Sequence, residues 1–407
     1  MTAIVGILNK RAVAVAADSA LTVEADGKKK IYNNAQKIFS LGEDIPVGIM
    51  LAGKNEFMFT PWDLIIKMYA KTRKLLGYGE EETLDGYVTD FLNYIRTDKN
   101  FSSEECGRNY ICAELSSFYY NVKDEAERIC QKRRGGIEYE DAVKEALEDA
   151  LNNFKETGKA EDMEDMTIEE FLPLTEYAFD SLKQAMKNEK FPVRNLSLWR
   201  EVFYEYITSE CFLENSEIVF TGYGSNELYP SIMSITLSGI IGKRVRYRVE
   251  EEETTISDER AACIIPFAQD DVVITLLKGI APALFGYIVD ENQAALIKAR
   301  NLMLAAAKGA GAGRKVMESI RNASIDKANE EFCDNALDYI GKNYSDGVLS
   351  AVDCFSVKEM ASMAESLISV TGLQRHFSSS EESVGGPVNV AVITKTEGFQ
   401  WVKTGGA

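Results

Sequence analysis

Residues 3–17 constrain this chain more than any other stretch. Ala3-Ile4-Val5-Gly6-Ile7-Leu8 is a continuous apolar run, Asn9-Lys10-Arg11 breaks it, and Ala12-Val13-Ala14-Val15-Ala16-Ala17 is a second run. Short, β-branched and alanine-rich runs around a polar break predict two strands joined by a tight turn. Strands without a polar face suit a sheet covered on both sides, so this part of the chain is expected to be buried and fixed rather than frayed. Thr2, just before it, offers a hydroxyl beside what becomes a free α-amine once Met1 is removed.

Composition then narrows the function classes. With 407 residues the chain has room for two or three domains, or for one domain with large insertions. Hydrophobic residues at 45% and charged residues at 27% are ordinary globular values. No apolar run reaches the roughly 20 residues that span a bilayer, and no secretory leader is visible, so a soluble, cytoplasmic protein without a membrane partner is expected. A net charge of -19 argues against a nucleic-acid partner, which is bound by clustered Lys and Arg. The seven cysteines, at 106, 112, 130, 211, 263, 333 and 354, are scattered and form no CxxC pair. They read as reduced structural thiols, with no metal site and no cofactor expected. The single histidine, His376, reads as a surface or interface side chain, and no GxSxG elbow accompanies it. Any nucleophile therefore needs another base. Gly309-Ala310-Gly311-Ala312-Gly313-Arg314-Lys315 follows a helical pattern and lacks a Gly-Lys-Ser/Thr ending, which makes it a joint between helices rather than a phosphate loop.

Along the chain, residues 1–53 read as four strands and 54–75 as a helix with Phe57, Leu64, Ile65, Met68 and Tyr69 on one face. Residues 76–215 read as a helical insertion. Within it the acidic run Glu161-Asp162-Met163-Glu164-Asp165 is expected to be a solvated loop, and Thr167-Ile168-Glu169-Glu170 a helix start with a capping box. Strand patterns return at 216–224 and 229–249, where Gly239 to Gly242 can turn a hairpin. Residues 258–345 read as mostly helical, and 385–402 as two final strands around Glu397-Gly398. Interleaved in this way, the strands most simply assemble into two sheets sandwiched by helices, an α+β architecture with the insertions outside.

Thr2, then Ala17-Asp18-Ser19, then Lys37-Ile38, then Ala52-Gly53 resemble, in that order, the signature of proteasome β-type subunits and their bacterial relatives. These are threonine peptidases of the N-terminal-nucleophile (Ntn) hydrolase superfamily. The similarity extends to 217–248, to Ile265-Pro266-Phe267-Ala268-Gln269 before the next helix, and to 385–402, about half of the chain. It implies a four-layer αββα sandwich of two antiparallel sheets with a discontinuous core of residues 1–75, 216–290 and 350–407. The helical insertions would be 76–215 and 291–349.

The resemblance also implies the site. Thr2 would be the nucleophile and its own α-amine, with an ordinary pKa of about 7.7 to 8.0, the base. Lys37 would stabilise the developing alkoxide, Asp18 would hold Lys37, and the Gly53 N–H would be the oxyanion donor. Ser19 and Thr22 would line the cleft for an extended substrate, added as a strand. Ala20 stands where family members usually carry arginine or another polar residue. Phe267 or Ala268 falls where a serine usually assists the amine, and Glu381-Glu382-Ser383 falls where an acidic and serine pair is usual. Singly, each site residue has an ordinary structural explanation: turn former, surface cation, turn glycine. Together they lead to a peptidase of peptide or unfolded-protein substrates, assembled as a homo-oligomer in which the large insertions either cap or widen a ring or stop one from closing, with a separate ATPase supplying any unfolding. Two alternatives stand beside it: an Ntn-type hydrolase of a small amide, and an inactive scaffold whose acidic helical insertions dock partners.

Overall fold

The computed structural model describes residues 2–404 except 26–27, 43–44, 78, 134–135, 190, 193–194, 251–253 and 378–383. For 22–25, 28, 29 and 31 it describes the backbone alone. The chain is a mixture of antiparallel sheets and many helices. It divides into two compact units: Met1–Asn34, Ile256–Val390 and Val402–Ala407 form the first, and Ala35–Thr255 with Ala391–Trp401 the second.

In the first unit the strands Ala3–Asn9 and Ala12–Ala17 pair antiparallel, from Ile4 opposite Ala17 to Asn9 opposite Ala12, and every residue of both is buried. Asn9 makes the turn. Its Oδ1 accepts from the N–H groups of Arg11 and Ala12 at 2.9 and 3.2 Å, while its Nδ2 donates to the carbonyls of Val352 and Phe355 at 2.9 and 3.1 Å. A fully buried side chain thus has its polar atoms paired, as burial demands. The helix Val357–Phe377 packs on these two strands through Met360, Ala361, Ala364, Leu367, Ile368 and Thr371, an i, i+4, i+7 stripe.

The other side of the first strand carries Ala262–Ala268, with Ala3 opposite Ala268. Sequence pattern had placed this segment in a helical stretch, and the structure corrects that. Pro266 removed the expected strand signal, yet it sits in an edge strand, where its missing N–H breaks no ladder bond. The helices Pro282–Gly309, Arg314–Arg321 and Ile325–Ile340 follow, and none has a buried residue. Residues 310–313 join the first two, as expected of that glycine-rich stretch. Among the described residues no single helix is long and apolar enough to cross a membrane. The pair Asp271–Lys278 and Pro282–Gly309, bent by 70°, meets that test only when taken together.

The second unit is built on a sheet in the order Arg244–Val249, Ser231–Ile241, Ser216–Gly222, Val47–Gly53, Ile38–Ser40, all antiparallel. Gly242 and Lys243, both left-handed at φ 55° and 72°, make the hairpin turn in two residues. At Gly239 the ladder shifts register, and a Cβ there would overlap the Tyr110 ring. The helix expected from residue 54 begins at Trp62, because residues 56–61 form a short hairpin first. Its buried face is Trp62, Ile65, Ile66, Tyr69 and Arg73. Leu64 is exposed, about one helical position away from the expected stripe.

Among the described residues, 84–208 contribute six helices around an aromatic core, with Phe118 stacked on Tyr206 at 5.7 Å and edge-on to Trp199 at 5.7 Å. The capping box at Thr167 and Glu170 is present. The acidic run is not simply solvated: Asp162 accepts from Arg96 and from the Val245 N–H, and Met163 between its acids is fully buried. The strands Asn389–Thr394 and Gly398–Lys403 are shared between the units.

Candidate active site

The first unit brings Thr2, Asp18 and Ser19 to one end of the opening strands. Thr2 is 8% exposed, and its carbonyl accepts from the Gln269 N–H at 3.2 Å, which extends the edge-strand ladder by one pair. On the other side, Asp18 follows the second strand, and its N–H donates to the Ala3 carbonyl at 3.1 Å. The return bond does not use the Asp18 carbonyl. The Ala3 N–H donates instead to Asp18 Oδ1 at 2.9 Å, so a carboxylate closes the ladder beside Thr2. Oδ2 accepts from Ala20 N–H at 3.1 Å and Gly385 N–H at 3.2 Å. Three backbone donors on one carboxylate, 1% exposed, fix its orientation. Ser19 donates its hydroxyl to the Pro387 carbonyl at 2.7 Å and its N–H to the Gly385 carbonyl at 3.3 Å. The segment 384–387 is therefore tied to Asp18 and Ser19, a link that sequence spacing did not reveal. Thr22 lies in the strand Leu21–Ala25, opposite Ile31 of Lys28–Tyr32. Phe267 and Ala268 face Ile4 and Ala3 across the edge pairing, and Ala268 is left-handed at φ 65°, an unusual conformation for alanine. Glu381, Glu382 and Ser383 lie outside the described residues.

The second unit brings Lys37 and Gly53 to one edge of its sheet. Lys37, 4% exposed, precedes the edge strand Ile38–Ser40, and its carbonyl accepts from the Leu51 N–H at 2.9 Å. Along an antiparallel strand successive N–H groups point to opposite neighbours. The Leu51 N–H goes to the Lys37 carbonyl, so alternation turns the Gly53 N–H to that same side, while the Lys54 N–H beyond it goes to the Asn215 carbonyl at 2.9 Å. Two residues beyond Leu51, Gly53 faces the place where the edge strand has ended.

Gly53 is left-handed at φ 79°, and a Cβ on it would come within 2.7 Å of the Asn215 oxygen. Only glycine fits without strain there, which pattern alone had marked as a turn. Ser216 Oγ donates to the Lys54 carbonyl at 2.9 Å and anchors the residue that follows.

The two sets thus comprise a buried hydroxyl-bearing residue with an oriented carboxylate, and a buried lysine with a backbone donor at a strand end. A hydroxyl, an oriented carboxylate, an ammonium and a backbone N–H are each group types that acyl-transfer chemistry can use. Among the described residues no group of three or more His, Cys, Asp or Glu is placed to hold a metal ion.

No protein-family model matches the chain, and no curated protein matches it. Among solved structures the chain is similar to a Gly-1 mutant of Anbu from Hyphomicrobium sp. strain MC1. The likeness covers 99% of this chain and 86% of that one, with 10% sequence identity and a TM-score of 0.33.

Proposed function

We propose that the protein is an N-terminal threonine hydrolase that cleaves peptide bonds, on a four-layer αββα core of residues 1–75, 216–290 and 350–407 carrying helical insertions at 76–215 and 291–349. The observation that carries this reading is the place of Gly53 at the end of the strand Val47–Gly53, two residues beyond the Leu51 N–H that donates to the Lys37 carbonyl, so that strand alternation turns the Gly53 N–H to the same side. A cation-bearing residue and an oxyanion donor at one strand end are what a threonine nucleophile needs beside it.

In the reaction, Met1 is first removed. Thr2 Oγ attacks the carbonyl carbon, and its proton passes to the Thr2 α-amine. The Gly53 N–H receives the oxyanion. The C–N bond breaks as the α-ammonium returns the proton to the departing amine, leaving an ester on Thr2. Water then attacks the ester, giving its proton to the same amine, and the acid leaves as Oγ is reprotonated. Asp18 orients Lys37, and Lys37 favours the neutral amine and the developing alkoxide. Ser19 and Thr22 line the cleft for an extended chain. The protein acts as a homo-oligomer of ring type on peptides or unfolded chains, with a separate ATPase where unfolding is required. Hydrolysis of a small amide by the same residues is the second reading, favoured if small acyl amides outrun peptides.

The test is the intact mass before and after exposure to a peptide epoxyketone, which needs an α-amine beside its hydroxyl. Loss of Met1 and one adduct, absent in Thr2→Ala, is the expected result. A retained methionine and no adduct sinks the proposal in favour of a scaffold.

A further inference from the structure

Within the second unit, Gly53 stands opposite Ser216, and the segment 211–215 leads from the helix Leu196–Thr208 into that strand. The Asn215 carbonyl accepts from the Lys54 N–H at 2.9 Å, and it is the atom that a Cβ on Gly53 would meet. Two side chains add to this tie. Lys54 Nζ donates to Glu214 Oε2 at 2.6 Å, and Ser216 Oγ donates to the Lys54 carbonyl at 2.9 Å. Where the strand end at Gly53 lies, and so where its N–H is aimed, therefore depends on where 214–216 is held.

That segment is held in turn from the helices. Ser238 Oγ donates to the Glu214 carbonyl at 3.2 Å. This uses the one proton of Ser238, so in the 2.6 Å contact between the two hydroxyls Tyr110 is the donor. Arg246 gives Ser238 Oγ a further bond at 3.3 Å. Tyr110 is 6% exposed and belongs to the helix Glu104–Lys132. Two features of the strand Ser231–Ile241 make room for its hydroxyl. Ser238 falls at the register shift between Leu237 and Gly239, a bulge of the kind that re-aims a side chain. Gly239, next to it, leaves the space that the Tyr110 ring fills. Both features weaken a strand, one by an unpaired residue and the other by a missing side chain. Both are accounted for by a tyrosine hydroxyl brought to Ser238.

We propose that Tyr110 is a positioning residue for the Gly53 oxyanion donor, acting through Ser238 and the Glu214 carbonyl, so that the helical insertion keeps the strand end aimed before substrate arrives. The proposal rests on the peptidase reading and deepens it. A donor stabilises a developing oxyanion to the extent that it is aimed beforehand, with no reorganisation left to the moment of reaction. Without the Tyr110 hydroxyl, Ser238 loses a donor and is free to turn its own proton away from Glu214. The strand end then loosens while the cleft that binds substrate is unaltered.

The experiment compares the unaltered protein with Tyr110→Phe, which keeps the ring, with Ser238→Ala, and with Tyr204→Phe. The last removes a bond of the same kind from the same helices, that to the Met166 carbonyl at 2.7 Å, away from 214–216. In Tyr110→Phe and Ser238→Ala, kcat on a peptide is expected to fall about tenfold with KM held within about twofold. Inhibition by a peptide aldehyde, whose adduct carries the oxyanion, should weaken by about the same factor. The two substitutions combined should cost no more than Ser238→Ala alone, because both act through one chain of bonds. Exchange of the Lys54 amide hydrogen, which needs no catalysis to read, is expected to quicken about tenfold in both variants. Tyr204→Phe should change none of these. Unchanged kcat and exchange in Tyr110→Phe, or an equal loss in Tyr204→Phe, overturns the positioning role alone. Peptide hydrolysis that persists in Thr2→Ala, without an epoxyketone adduct on the unaltered protein, overturns the peptidase reading, and the positioning of its donor falls with it.

Discussion

Asp18 is held by three backbone N–H groups at 2.9, 3.1 and 3.2 Å, all of which an amide in its place would serve with one oxygen. Asp18→Asn is therefore expected to cost about 2–4 kcal/mol, since hydrogen bonds to a charged group contribute about 1.5–3 kcal/mol each. Urea denaturation reads that loss, and an unchanged midpoint would show the carboxylate is not a structural hub. Gly53→Ala must adopt a left-handed backbone and push its Cβ against the Asn215 oxygen. It should destabilise by about 1–3 kcal/mol and cost at least about tenfold in kcat, measured by denaturation and by peptide turnover. Both residues were singled out by their resemblance to a family signature, each being an ordinary turn residue by itself. The resemblance did not disclose that Asp18 completes a strand ladder, because that depends on which carbonyl its side chain replaces.

At the scale of elements, the opening hairpin, the Thr167 capping box and the turn at Gly242 were legible because each rests on local chemistry. The strand Ala262–Ala268 was hidden by Pro266, whose tolerance there depends on a neighbour far away in sequence. The burial of Met163 within an acidic run has the same kind of cause. Arg246 shows what ties the helices to the sheet. Fully buried, it donates to the carbonyls of Tyr206 and Cys211 at 2.7 Å each and of Ser209 at 3.3 Å, between the rings of Tyr206 and Phe212. Glu114 faces it at 3.7 Å and accepts from the Tyr206 hydroxyl. Arg246→Met, which leaves Glu114 buried without its cation, is expected to cost about 3–5 kcal/mol in denaturation. Burial is the largest influence on Glu114 and pushes its carboxyl above the ordinary 4.5. The fold thus favours the protonated form, and the stability this gives is full below the ordinary value and lost as pH rises through the raised one. Glu114→Gln should flatten that decline when urea midpoints are compared between about pH 4 and pH 8, and an unaltered slope would place its origin elsewhere.

At the scale of the whole molecule, burial is uneven. The first two strands are buried throughout, whereas the helices from Pro282 to Ile340 have no buried residue. Amide hydrogen exchange is expected to be fastest in 282–340 and slowest in 3–17, and equal protection would show that another surface covers those helices. The division into units drawn from separate stretches could not be read from pattern, because period reports what an element is and not which distant element it meets. The pairing of Ala3–Asn9 with Ala262–Ala268 carries a consequence for the cell. At about 5–20 residues per second, the roughly 250 residues between these strands take on the order of ten to fifty seconds to emerge from a ribosome. For that time this wholly buried hairpin waits without its edge partner, beside other growing copies. A holdase that shelters the nascent chain through that interval would raise the share of chains that reach the finished fold.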